Sequence, residues 1–370
     1  MRKKTVAIVS LWAFVALCWA LVIGWRLLDR SGVLDERIVY VETADPASRP
    51  GVPILDANNA FFTVMKAEPN RVEVQWSRTE IHGEHPICRV KRLDGPATSV
   101  MGTLNGERQY PILIDTGCNQ GLIVNDVVAL ESGLGLCPID VELGSGLGGF
   151  CHVDEIEIGG MTIRKPPCCY TRGHYERRAF GKPTQKERQV ILGLNLMRGF
   201  RYLLIDNVAS EVEFGLGQSF APDPNESWWQ FPMSIETEGW NRLRALVEMP
   251  IAGQTRRIMI DTAASWNLYV SRSIWKELSR EVNIIETSQS RSKMFRGWTD
   301  VEKVTVEQFQ IGQRTLSRAT IAVVDESAAW KSDNFLLGMD NFADTAIALD
   351  FEDNRFWIRE PLDQGLIETD

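Results

Sequence analysis

An internal repeat constrains this chain more than any other feature. YPILIDTG (Tyr110 to Gly117) is followed by IEIGGMTI (Ile156 to Ile163) and VILGLNLMRGFRYLLID (Val190 to Asp206). A second series repeats the order: RRIMIDTA (Arg256 to Ala263), EQFQIGQRTL (Glu307 to Leu316) and NFLLGMDNFADTAIALD (Asn334 to Asp350). Asp115 precedes Gly193 by 78 residues, and Asp261 precedes Gly338 by 77. The two series are offset by 146 residues at the aspartates and by 144 at Asp206 and Asp350. Matched order at matched distance indicates two copies of one lobe. A chain of 370 residues has room for two or three units of ordinary size, so both copies fit.

The lobes read as mainly β. Short β-branched and aromatic runs bounded by Gly, Asn or Pro recur, as at Tyr110 to Ile114, Glu155 to Ile158, Val304 to Ile311 and Ala319 to Val324. Helical patterning is confined to Asn125 to Ser132 and Ser273 to Glu281. The Gly-, Pro-, Asn- and Ser-rich stretch 217–230 is the best internal boundary. It divides a first lobe, 51–216, from a second, 231–362.

Each copy carries an apolar strand that runs into Asp-Thr-Gly or Asp-Thr-Ala. Such a strand drives its aspartate into a poorly solvated turn, where the threonine hydroxyl can bond across to the opposing copy. Two such turns meeting about a pseudo-twofold axis bring two carboxyl groups together. Like charges that close cannot both ionise, so the pair shares one proton and offers an acid beside a base. The pair can activate a water and protonate a leaving amine.

ILIDTG with VILG, echoed by IMIDTA with FLLG, resembles the pepsin and retropepsin superfamily of aspartic proteases over roughly residues 100–360. The resemblance implies a bilobal pepsin-like fold of two related β-barrel-like lobes, with a polypeptide substrate in the cleft between them. It makes Asp115 and Asp261 the catalytic pair and has Thr116 and Thr262 tie the two loops, with Gly117 and Ala263 completing the turns. It sets Gly193 and Gly338 beneath the loops. A glycine-tipped flap falls within VELGSGLGGFCHVDEIEIGG, with its tip near Gly146 to Phe150 and with Gly148, Gly149 and Phe150 facing substrate. Trp266 is the second candidate for the cleft wall. Neither cofactor nor metal is implied. Both half-sites lie in one chain, so catalysis requires no oligomer.

Three residues depart from the family pattern. Ala263 replaces a glycine and would be strained if its position demanded a left-handed backbone. Cys118 stands where Ser, Thr or Ala is usual, and Phe150 is only a stand-in for the absent flap tyrosine. These departures keep a second reading open, a silent bilobal protein that binds a peptide or membrane partner in the same cleft. Carboxyl groups within hydrogen-bond reach favour the enzyme; splayed loops favour the binder.

Other motifs carry less. GSGLGG (Gly144 to Gly149) precedes a strand-like alternation and lacks a following Lys-Ser/Thr, so it is not a nucleotide loop. His82, His85 and Cys88 have no second ligand cluster and read as a surface loop with Cys88 in a disulfide. No Gly-x-Ser-x-Gly or His-Glu-x-x-His occurs.

Val6 to Trp25 is an uncharged run of 20 residues, long enough as a helix to span ~30 Å of hydrocarbon. Arg2, Lys3 and Lys4 precede it, so the sequence predicts a single-pass signal anchor over 1–30 with its N-terminus cytoplasmic. A cleaved signal peptide is the rival. Residues 31–50 then form a juxtamembrane stalk, and the lobes are extracytoplasmic. The exported part holds 35 basic and 48 acidic residues, a net −13, which excludes a broad basic face for nucleic acid. Its six cysteines lie between 88 and 169, and disulfides are expected to brace the first lobe; one conceivable pair is Cys118 with Cys151.

Overall fold

A computed structural model describes residues 37–361, except 69–70, 96, 144–145, 180–181, 239–241, 295–296 and 326–334. The apolar run Val6 to Trp25 lies outside the described residues, among which no helix is long and apolar enough to cross a membrane. The chain divides into two compact units, one formed by 174–187 with the segment up to residue 41, the other by the remainder.

The smaller unit is built on a three-stranded sheet in the order Arg37–Glu42, Gly173–Ala179, Lys182–Lys186. Tyr40 meets the buried Tyr175 edge to face, with ring centres 5.2 Å apart. A strand therefore stands where the sequence suggests a spacer, because RIVYVE is β-branched and aromatic enough to pair.

In the larger unit, both copies of the repeat fold the same way. Arg108–Asp115 alternates, burying Tyr110, Ile112 and Ile114. Beside it runs Val190–Gly193, parallel, with Gly193 opposite Asp115 and every residue buried. The antiparallel strand Leu122–Asn125 closes the motif on the other side. In the second copy, Phe335–Leu337 lies parallel to Gln254–Ile260 and antiparallel to Leu268–Ser271. Both central strands are buried on both faces as well as paired along both edges, which is why VIL and FLL are uniformly apolar.

A short helix follows each closing strand. Asn125 caps Asp126–Glu131 by accepting the Val128 amide at 3.0 Å, and Ser271 caps Arg272–Leu278 through the Ile274 amide. The two copies share a seam. Tyr202–Asp206 pairs antiparallel with Ala346–Asp350, Tyr202 opposite Asp350, and each continues into its own hairpin. Beyond these hairpins the sheet ends in Ile87–Lys91 on one side and runs through Trp228–Glu238 on the other.

The expected disulfides are absent among the described residues, where all six cysteines are free thiols. Alternation along the strands splits them: Cys151 and Cys168 face the main core, and Cys137 and Cys169 face a separate cluster around Phe150. Cys88 is not in an exposed loop either. It is 5% exposed on a strand, and its thiol donates to the carbonyls of Ile158 and Gly159.

Candidate active site

Asp115 and Asp261 end their strands at the same place, on two turns that interlock. The Thr116 amide donates to Thr262 Oγ1 at 3.1 Å, and the Thr262 amide donates to Thr116 Oγ1 at 3.1 Å. Each hydroxyl then donates onward, Thr116 to the Ile260 carbonyl at 2.7 Å and Thr262 to that of Ile114 at 2.6 Å. Both threonines are wholly buried, and on each side an amide, a hydroxyl and a carbonyl bond across to the other copy. Thr116→Val orphans the Thr262 amide and the Ile260 carbonyl, each at about 1–3 kcal/mol. Urea unfolding should show that loss, and unchanged stability would mean that the bonds hold nothing.

The two carboxyl groups lie close enough for each to perturb the other's ionisation, and the Asp261 carboxyl packs against Gly117, two residues beyond Asp115. Asp261 Oδ1 also accepts the amides of Ala263 at 2.9 Å and Ala264 at 3.1 Å, and Asp115 Oδ1 accepts that of Cys118 at 3.0 Å. Desolvation raises both groups above the ordinary carboxyl range. Asp115 rises further, because the charge of Asp261 adds to its burial. The pair therefore shares one proton, and two amides steady the charge on Asp261 when it is the ionised member. Both residues are half-buried, so one side of the pair remains open.

The glycines mark where backbone meets backbone. At Gly117 a Cβ would stand 2.5 Å from Asp261 Oδ2, so the absent side chain makes room for the opposite carboxyl. Ala263 lies outside the left-handed region, and the strain that a Cβ would suffer there does not arise. A Cβ on Gly193 would overlap the Gln120 carbonyl, and one on Gly338 the Trp266 carbonyl. Across this floor Leu194 donates to the Cys118 carbonyl and Met339 to that of Ala264, at 2.7 and 2.8 Å.

Residues 247–344 match the gag-polyprotein putative aspartyl protease family. The match takes in Asp261, Thr262, Ala263, Trp266 and Gly338, and it supports a place in the aspartic protease superfamily. No curated protein matches the chain.

The hairpin expected as a flap pairs Leu136–Leu143 with Gly146–Cys151, so Gly146 to Phe150 lies in a paired strand and not at a tip. Gly148 is buried and paired with Val141 and Thr171; a Cβ on Gly149 would strike the Tyr170 ring at 2.6 Å. Phe150 is 4% exposed, packed at the hairpin's root against Phe62 and Trp76. The glycines that suggested a tip serve close packing in the strand instead. Trp266 is partly buried and stacks on Tyr269 with ring centres 5.7 Å apart.

The sequence reading missed a counterpart in the second copy, the long hairpin Ile284–Met294 with Gly297–Ile311. It carries no glycine-rich run, and only the stretch from Val304 reads as a strand. The signal available was the repeat itself, since the first hairpin lies at the same place after its aspartate.

Proposed function

We propose that this chain is an aspartic endopeptidase whose Asp115 and Asp261 share one proton and hydrolyse a peptide bond between the two copies of the repeat. The observation that carries the reading is the pairing of two Asp-Thr turns, locked by reciprocal threonine bonds, which sets the Asp261 carboxyl against Gly117 of the opposite turn beside Asp115. Asp261, ionised, takes a proton from a water whose oxygen attacks the scissile carbonyl carbon. Asp115 gives its proton to the departing nitrogen as the C–N bond breaks. The hairpin Leu136–Cys151 acts as a flap over an extended polypeptide, and the hairpin Ile284–Ile311 faces it. The apolar run Val6 to Trp25 anchors the chain in a membrane with the protease portion outside the cytoplasm, and one chain suffices for activity.

The unstrained backbone at Ala263 removes the main support for a silent binding protein. A peptide-library digestion, with and without a statine-type transition-state inhibitor, tests the enzyme reading directly. Cleavage should be blocked by the inhibitor. Because the pair must hold one proton, kcat/KM should fall as pH rises through the raised carboxyl pKa. A profile flat into alkaline pH, or cleavage indifferent to the inhibitor, would sink this mechanism.

A further inference from the structure

The segment upstream of the first copy is folded onto the root of the hairpin Leu136–Cys151, and nothing in the proposed chemistry uses it. Leu136–Leu143 is the last strand of its sheet, with an edge that would otherwise be open. Residues 53–55 cover only its base. The Leu136 amide donates to the Pro53 carbonyl, and the Leu55 amide donates to the Leu136 carbonyl, both at 2.8 Å. Leu55 also fills the space beside Gly135, where a Cβ would come within 2.9 Å of it.

The chain then makes the hairpin Phe62–Glu68 with Arg71–Trp76. Phe62, only 1% exposed, sits 5.5 Å from the Phe150 ring centre and 5.2 Å from that of Trp76, which meets Phe150 edge to face. Phe61 stacks on His152 at 3.5 Å. Cys137 and Cys169 complete this nest. Immediately beyond the nest the register of the flap hairpin shifts between Gly148 and Phe150, at a bulge.

We propose that residues 53–68 and 71–77 are a strap that clamps the root of the flap hairpin below the Gly148–Phe150 bulge, so that the hairpin pivots at the bulge under the control of the N-terminal segment. The idea that the pivoting hairpin covers the carboxyl pair rests on the protease reading; the clamp itself does not. Hydrogen exchange on the full-length protein separates the two, because it needs no cleavage. Phe62→Ala should speed amide exchange across 136–151 by about tenfold or more while leaving the strand Gln254–Ile260 as protected as before. If Phe62→Ala does not fold, Phe61→Ala, which removes the stack on His152, is read in the same way. Unchanged exchange at 136–151 overturns the strap, and so does a uniform rise in both segments, which would make Phe62 a general core residue. On a peptide substrate the same variant should raise KM more than it lowers kcat. A wild-type chain that cleaves nothing, with the exchange result as expected, counts against the protease and leaves the strap standing.

Discussion

Asp261→Asn should lower the rate of peptide hydrolysis on the order of 10²–10⁴-fold, and Asp115→Asn should do the same, with the fold intact in both. The chemistry needs a base and an acid on one water, and an amide can replace neither. Stability should respond in the opposite sense to activity. Asp115 is raised chiefly by desolvation and next by the charge of Asp261. Below the unfolded carboxyl pKa, ~4, both states are protonated and the native state has its full stability. As pH climbs from there to the raised native value, the unfolded chain ionises first and stability is lost. Asp115→Asn escapes that loss, because its amide does not ionise in either state. The variant should therefore match wild type in acid and exceed it near neutrality in denaturant titrations at the two pH values. Retained turnover in either variant would remove the carboxyl pair from the mechanism. A stability gap that is larger in acid would mean that the proton sits elsewhere.

What the sequence makes legible here follows from period and spacing. ILID and VILG are short, apolar and placed at equal intervals, and those properties suffice to put Gly193 beside Asp115 and to bring the two Asp-Thr turns together. The two helical stretches read at Asn125 to Ser132 and Ser273 to Glu281 are the helices Asp126–Glu131 and Arg272–Leu278, whose caps Asn125 and Ser271 the structure identifies. The flap residues misled because a glycine has two uses. In GLGGFC the run suggests a turn, but at Gly149 the missing Cβ admits the Tyr170 ring from a neighbouring strand, a contact that only the assembled sheet reveals. Cysteine count misled in a similar way, since it says nothing about which face of a strand each thiol takes. The strap was out of reach for a third reason. Phe61, Phe62 and Trp76 lie in an unrepeated segment, and their partners Phe150 and His152 are more than 70 residues further along the chain.

Gly338→Ala should be the most damaging single methyl in the molecule, with Gly193→Ala close behind. Neither glycine is needed for its backbone, since their φ angles of −99° and −96° suit any residue. Space is what they supply. A Cβ on Gly338 would overlap the Trp266 carbonyl and stand 2.9 Å from that of Ala264, both backbone atoms of the turn that follows Asp261. That turn cannot easily give way. The Ala264 amide is held by Asp261 Oδ1 at 3.1 Å, its carbonyl accepts from Met339 at 2.8 Å, and Gly338 itself donates to Asn267 at 3.2 Å. Relieving the overlap means breaking some of these bonds on top of the packing strain, a cost of at least about 3 kcal/mol. Against a total stability of 5–15 kcal/mol that is a large share, and it would move Asp261 as well. Gly133→Ala is the comparison, because nothing lies within 4 Å of its Cβ and its φ of +58° exacts only the left-handed cost of about 1–2 kcal/mol. Thermal unfolding should therefore rank Gly338→Ala well below Gly133→Ala, with activity lost only in the former. Equal melting temperatures would show that the floor beneath the second aspartate is softer than its hydrogen bonds imply.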